Sequence, residues 1–198
     1  MFSPRQCLSG NDSGGHGGAT TPSTFTLVSE ILAALPGENA PPVLAAGGMA
    51  NGTQVAAYLT LGAAGAVLGT RFLLTPESPY SDAQKAVLLA AKSGSTVRTL
   101  ALDYARGTYS WPKGIDGRGI RNRIVDDIDA GIPHETVREK LTKATQEGDA
   151  DYMVTWSGTG VGLMNEIKPA KVCTRHSRVL CLSVIPIERL IDSTPCGE

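Results

Sequence analysis

Two short apolar runs, each ended by glycine, constrain the fold of this chain most. Residues 42–46 run into Gly47-Gly48, and residues 64–68 run into Gly69. Unbroken apolar runs of this length are typical of strands buried on both faces of a parallel sheet. The crossovers of such a sheet are right-handed, so both turns are expected at one sheet edge, where α/β folds bind ligands.

Helical patterns lie before and between these two runs. Apolar residues recur at helical spacing over residues 23–35, and Ser23 or Thr24 can cap that helix. Asn51 with Gln54 three residues later is an N-cap pair that begins a second helix. Helices alternating with buried strands predict parallel βαβ units.

The pattern weakens outside this region. We expect helices over residues 82–92 and 136–146 and an extended segment over residues 97–103. Residues 8–22 are rich in Gly, Ser and Thr, and residues 106–123 are rich in Gly and Arg, so both are predicted to be loops. Residues 172–198 favour neither helix nor strand.

Composition narrows the class of ligand. The chain has 198 residues, of which 41% are hydrophobic and 19% charged, and its net charge is -1. Its basic residues are scattered, so neither a nucleic-acid groove nor a membrane surface is expected, and a small molecule is the predicted ligand. No apolar run approaches a membrane span, and the four cysteines form no C-x-x-C pair. A soluble, cytoplasmic protein with reduced thiols and no metal site is expected.

The two glycine turns form a candidate anion site. Gly48 and Gly69-Thr70 follow neighbouring strands, so their main-chain amides can converge. The second helix begins just after Gly48, and its N-terminal N–H groups would favour an anion. Each turn alone is explained equally well as a tight turn. Their occurrence one βαβ unit apart favours a phosphate site.

His16 is the candidate catalytic residue. It lies in the glycine-rich run of residues 13–18, where the backbone can pass close to a planar ligand. Histidine titrates near neutral pH and can act as a general base. The alternative is an exposed histidine in a flexible loop. We expect His134 and His176 to be surface residues.

Several motifs in order resemble one enzyme family. Residues 11–18 (NDSGGHGG) are similar to the Glu-Ala-Gly-Gly-His-x-Gly signature of the nitronate monooxygenases. Residues 42–49, 62–73 and 156–170 are similar to that family's seventh strand, eighth strand and C-terminal segment. With residues 119–123, the resemblance runs from about Gly10 to Ala170.

The resemblance implies a cofactor and a reaction. The family binds FMN and uses molecular oxygen to oxidise alkyl nitronates, and sometimes nitroalkanes, to a carbonyl compound and nitrite. His16 takes the position of the catalytic histidine, and Gly14 lies along the cofactor. The FMN phosphate would be held by Gly48, Val67, Leu68, Gly69 and Thr70. Ser9 stands in place of a glutamine that contacts the flavin, and Asp12-Ser13 in place of Glu-Ala, so this edge of the cofactor is expected to be held less well.

The predicted fold is α/β, a partial (β/α)8 TIM barrel made of the last strands and helices, with an irregular C-terminal extension. Residues 1–95 would form the FMN-binding part of the barrel, residues 96–170 a loop and helical segment, and residues 171–198 a divergent tail. Residues 1–8 are not expected to make a good sixth strand. An open sheet edge favours a homo-oligomer. A non-catalytic fragment and another FMN-dependent barrel oxidoreductase, such as an enoyl reductase or an inosinate dehydrogenase-like protein, remain as alternatives.

Overall fold

The computed structural model describes residues 6–35, 37 and 40–173. Its six strands form two three-stranded sheets. The strands are β1 (Gln6–Ser9), β2 (Gly15–Gly18), β3 (Val43–Ala46), β4 (Gly65–Val67), β5 (Thr96–Thr99) and β6 (Ile115–Ile120).

Helices pack against strands of both sheets. They are α1 (Thr24–Ala34), α2 (Gly52–Leu61), α3 (Thr70–Leu73), α4 (Asp82–Ala90), α5 (Ala101–Ala105), α6 (Arg123–Asp129) and α7 (His134–Glu147), followed by 3-10 turns at Ala150–Tyr152 and Thr159–Leu163. No helix among the described residues has the length and apolar character needed to cross a membrane.

The first sheet is parallel, in the order β1-β3-β4. The two predicted strands and the helix between them are confirmed as β3, α2 and β4. Burial is confirmed for β3 alone, because the residues of β4 are partly buried and Val67 at its end is 42% exposed. The prediction that residues 1–8 make no good strand is wrong for its described part, because β1 pairs with β3 from Gln6 to Ser9. Because β1 forms its hydrogen bonds with a strand that is distant in the sequence, the residues of β1 alone do not predict a strand.

The second sheet is antiparallel, in the order β2-β6-β5, and was not predicted. Both expected loops contain one of its strands, β2 within residues 8–22 and β6 within residues 106–123. The expected extended segment ends at Thr99, and α5 follows it. Glycine-rich segments have low intrinsic strand preference, so pairing with distant strands decides their structure here.

Local signals locate the starts of α1 and α2 correctly. The Ser23 side chain accepts a hydrogen bond from the Thr26 amide at the start of α1, and Asn51 accepts one from the Gln54 amide at the start of α2. A capping box begins α4 at Ser81. These bonds satisfy first-turn amides that have no partner inside the helix. The helices predicted over residues 82–92 and 136–146 are confirmed as α4 and α7.

The α/β class is confirmed, whereas the partial barrel remains an interpretation. Strand β2 lies in the first predicted unit (1–95) and pairs with β6 in the second (96–170), so one sheet joins the two units. The division into units stays a prediction. Beyond residue 173, the predicted tail lies outside the described residues.

Candidate functional site

A cavity of about 480 Å³ lies at the carboxyl ends of the parallel strands. Ser9, Ala46 and Val67 are neighbours in the strand register, and all three line it. We call it the strand-end cavity. Its volume falls within the range of about 300–1,000 Å³ that is usual for small-molecule sites.

The two glycine turns meet at this cavity. Gly47 and Gly48 have φ angles of +105° and +75°, a left-handed conformation that L side chains rarely adopt. A β-carbon at Gly48 would also lie 2.7 Å from Cβ of Asp12. At Gly69, by contrast, a β-carbon would meet nothing within 4 Å, so space is open beside that turn.

The structure brings together six of the seven predicted site residues. Those that line the strand-end cavity are Gly14, His16, Gly48, Val67, Gly69 and Thr70. Leu68 is not among its lining residues, and its side chain packs against the apolar cluster of Val28, Val43 and Met49. Any contact of Leu68 with a ligand in this cavity would therefore run through its backbone.

The start of α2 does not contribute as predicted. Asn51 and Gly52 line a separate cavity of about 100 Å³ together with Arg71. No residue of α2 lines the strand-end cavity, so the expected convergence of N-terminal α2 amides on that cavity is wrong. The glycine turns themselves line the strand-end cavity.

Residues 157–158 contact two residues that line the strand-end cavity. The Gly158 amide donates a hydrogen bond to Oγ1 of Thr70 at 2.9 Å. Gly14 packs on the same segment, since a β-carbon there would lie 2.6 Å from the carbonyl carbon of Ser157. Residues 157–158 thus contact both Gly14 and Thr70.

The residues that depart from the family signature are used structurally. Oδ2 of Asp12 accepts a 2.7 Å hydrogen bond from the Thr24 amide at the start of α1. The Ser13 hydroxyl donates to the Gly10 carbonyl at 2.6 Å and hydrogen-bonds with the Ser9 hydroxyl. Both serines line the strand-end cavity, and weaker holding of this edge of a cofactor stays a prediction.

His16 is held in place within β2 rather than exposed on a flexible loop. Its side chain is 20% exposed, and Nε2 lies 2.9 Å from Oδ2 of Asp103. The ring of Trp111 stacks on the imidazole with 3.9 Å between centroids and a 17° interplanar angle. His134, expected at the surface, is half-buried and stacks on Tyr104 outside the strand-end cavity.

Asp103 was missed by the sequence analysis. It is 1% exposed, lies within hydrogen-bond distance of Nε2 of His16, and accepts a hydrogen bond from Nε1 of Trp111 at 3.2 Å. His16 and Asp103 are 87 positions apart, and no local pattern connects them. The sequence offers one signal for this contact, which is Trp111 within the polar, glycine-containing residues 106–123.

Tyr80 and Trp156 add aromatic walls to the cavity. The Trp156 amide donates a 3.2 Å hydrogen bond to the Tyr80 hydroxyl oxygen. Burial raises the pKa of the Tyr80 phenol above its usual value, so the hydroxyl keeps its proton at neutral pH. Tyr80 is therefore a neutral hydrogen-bond donor at the cavity wall.

The cavity offers backbone groups, one imidazole and the hydroxyls of Ser9, Ser13, Thr70 and Tyr80. No lysine or arginine occurs among the described residues that line it. An anion bound here would depend on main-chain amides at the glycine turns, as in other backbone anion sites. His16 supplies the titratable nitrogen base of the lining.

Comparisons with known proteins show the family of this chain. The family model for nitronate monooxygenase matches residues 7–174. Nitronate monooxygenase npaC of Metarhizium robertsii is 36% identical, over 86% of this chain and 50% of the relative. A nitronate monooxygenase of Neurospora crassa is 38% identical, over 85% of this chain and 46% of the relative.

A solved structure gives the same indication. The nitroalkane oxidase of Streptomyces ansochromogenes superposes with a TM-score of 0.74 and is 26% identical. The match covers 91% of this chain and 52% of that protein. The chain thus spans about half the length of the curated relatives it matches.

Proposed function

The chain belongs to the nitronate monooxygenase family, and on that premise we propose that it binds FMN in the strand-end cavity and oxidises alkyl nitronates. The products would be a carbonyl compound and nitrite, with molecular oxygen as the oxidant. Nitroalkanes are a second class of substrate. Bound FMN would supply the electron acceptor for the substrate and pass electrons to oxygen.

The phosphate of FMN would be bound by main-chain amides. Gly48, Gly69 and Thr70 line one cavity whose described lining carries no lysine or arginine. Val67 and Leu68 would contribute backbone groups, and Gly14 would lie along the cofactor. These residues fit an FMN phosphate because Gly48 and Gly69 have no side chain to block its approach. The volume of the strand-end cavity also suits a small molecule.

His16 would act as the base. In a nitroalkane, the carbon next to the nitro group carries an acidic hydrogen, and the imidazole would accept that proton. With a nitronate, the same ring would orient the substrate by a hydrogen bond. One observation carries this proposal: His16 and both glycine turns line the same cavity.

We further propose that the protein self-associates. The outer strands of the parallel sheet, β1 and β4, have no second strand partner among the described residues. Unpaired strand edges favour association. Sedimentation analysis should give a mass of at least two chains, and a monomer at all concentrations would contradict this.

The test is an FMN titration followed by oxygen uptake with an alkyl nitronate. The wild-type chain should bind FMN and consume oxygen, and His16→Ala should bind FMN normally but lose turnover by about 10²-fold or more. His134→Ala is the matched control and should behave as wild type, because His134 lies outside the cavity. Absence of FMN binding would reject the enzyme, and equal rates in wild type and His16→Ala would reject the base.

A further inference from the structure

Asp103 has an unusual place for a carboxylate. It is 1% exposed, and among the described residues its ion pair is with His16. A buried carboxylate is costly unless donors satisfy it. Among the described residues, Nε1–H of Trp111 donates to this carboxylate, and Nε2 of His16 lies within hydrogen-bond distance of both of its oxygens.

This arrangement determines which nitrogen of His16 carries the proton. An ionised carboxylate can only accept hydrogen bonds. Nε2 of His16 lies 3.0 Å and 2.9 Å from the two oxygens of Asp103, so Nε2 must be the N–H. A neutral imidazole has one N–H, which leaves the lone pair on Nδ1.

The groups around the His16 imidazole block Nε2, so Nδ1 is the ring nitrogen that can reach a ligand. A β-carbon at Gly117 would lie 3.2 Å from Nε2, so backbone closes that side of the ring. Trp111 covers one face of the imidazole, at 3.9 Å. His16 nevertheless lines the strand-end cavity, whereas neither Asp103 nor Trp111 does.

We propose that Asp103 and Trp111 are positioning residues that hold His16 with its proton on Nε2 and Nδ1 as the base. The identity of the substrate in this step rests on the proposed function. Nδ1 takes the proton as the C–H bond next to the nitro group breaks, and the electron pair stays on the substrate to form the nitronate. The imidazolium produced keeps its Nε2–H on the Asp103 carboxylate, which stabilises the new charge.

Nuclear magnetic resonance of the wild-type chain tests the tautomer without any cofactor. Long-range ¹H–¹⁵N correlation at pH 8 should give His16 a protonated Nε2 and an unprotonated Nδ1. The Nε2–H proton should resonate downfield, because it is bound to a carboxylate. The other two histidines are assigned with His134→Gln and His176→Gln. A proton on Nδ1, or no downfield Nε2–H, would overturn the proposal whether or not the chain binds FMN.

Variants connect the tautomer to catalysis. Asp103→Asn should move the Nε2–H resonance of His16 upfield or abolish it. The same variant should lower kcat by about 10²-fold or more at unchanged FMN affinity, because a catalytic histidine that loses its orienting carboxylate loses activity. Asp103→Glu keeps the carboxylate and should restore part of both signals.

Asp116→Asn is the matched control, since Asp116 is a partly buried aspartate that pairs with Arg98 instead. It should leave the His16 resonances in place. If Asp103→Asn folds by circular dichroism and retains the wild-type Nε2–H resonance, Asp103 does not hold the ring. If the resonance moves but kcat does not, Nδ1 is not the base. If no variant binds FMN, the proposed function fails while the resonance still decides the tautomer.

Discussion

Gly117 lies so close to Trp156 that a β-carbon on Gly117 would be 2.4 Å from Cζ3 of the indole ring. The same β-carbon would be 3.2 Å from Nε2 of His16. Glycine within a strand often marks a close approach by another group. Here it lets the cavity wall and the imidazole pack directly on the backbone of β6.

We expect Gly117→Ala to displace Trp156 and His16 together. Overpacking of this kind costs about 1–3 kcal/mol of unfolding free energy. Urea denaturation followed by tryptophan fluorescence would measure this cost, and oxygen uptake would show the loss of activity. Gly17→Ala on the neighbouring strand is the control, because its β-carbon would make an ordinary 3.5 Å contact with Arg98. Equal stability of the two variants would contradict the packing argument.

Gly48→Ala should weaken FMN binding as well as the fold. Its φ of +75° strains any side chain, by about 1 kcal/mol or more, and the new methyl group would strike Asp12. Gly94→Ala is the matched control, since Gly94 has a φ of +87° but nothing within 4 Å of its β-carbon. Both variants should lower the melting temperature, but FMN titration should show reduced affinity for Gly48→Ala alone.

Features set by nearby residues could be predicted from the sequence. Asn51 and Gln54 determine the start of α2 within one turn, and the two short apolar runs ended by glycine predict the strands β3 and β4. Since consecutive parallel strands share a direction, the meeting of Gly48 and Gly69 at one edge followed from chain order.

Features set by distant residues could not be predicted. Strand β6 exists because β2 and β5 pair with it, and its own Gly-Arg-Gly sequence gives no strand signal. Asp103 meets His16 across 87 positions, and Tyr80 meets Trp156 across 76. His16 lies on β2 and Asp103 follows β5, so their contact depends on the pairing of β6 with both strands.

Thr70→Val should reduce FMN affinity without disturbing the core. Valine keeps the shape of threonine but loses the oxygen that accepts the Gly158 amide hydrogen bond. One such bond contributes about 0.5–1.5 kcal/mol, so Kd should rise up to about tenfold. Flavin fluorescence titration would measure Kd. Thr142→Val removes a hydroxyl from the exposed surface of α7 and should leave Kd unchanged. An unchanged Kd for Thr70→Val would remove Thr70 from the site.

Tyr152→Phe should change how stability depends on alkaline pH. Tyr152 is 4% exposed and donates a 2.7 Å hydrogen bond to Asp127. Burial first, and the Asp127 carboxylate second, raise the pKa of this phenol. Above about pH 10 the unfolded chain therefore loses its tyrosine proton while the folded chain keeps it, so the wild type loses stability as pH rises.

The Tyr152→Phe variant has no phenol at this position, so its stability lacks this dependence on alkaline pH. At pH 7 it should be less stable than wild type by about 1 kcal/mol, the value of one lost hydrogen bond. The difference should shrink as pH rises above the ordinary tyrosine range, because only the wild type is then penalised. Urea denaturation between pH 7 and pH 11 would measure both curves, with Tyr109→Phe, at an exposed phenol, as the control. Parallel curves for wild type and Tyr152→Phe would mean that the Tyr152 phenol titrates alike in the folded and unfolded chains.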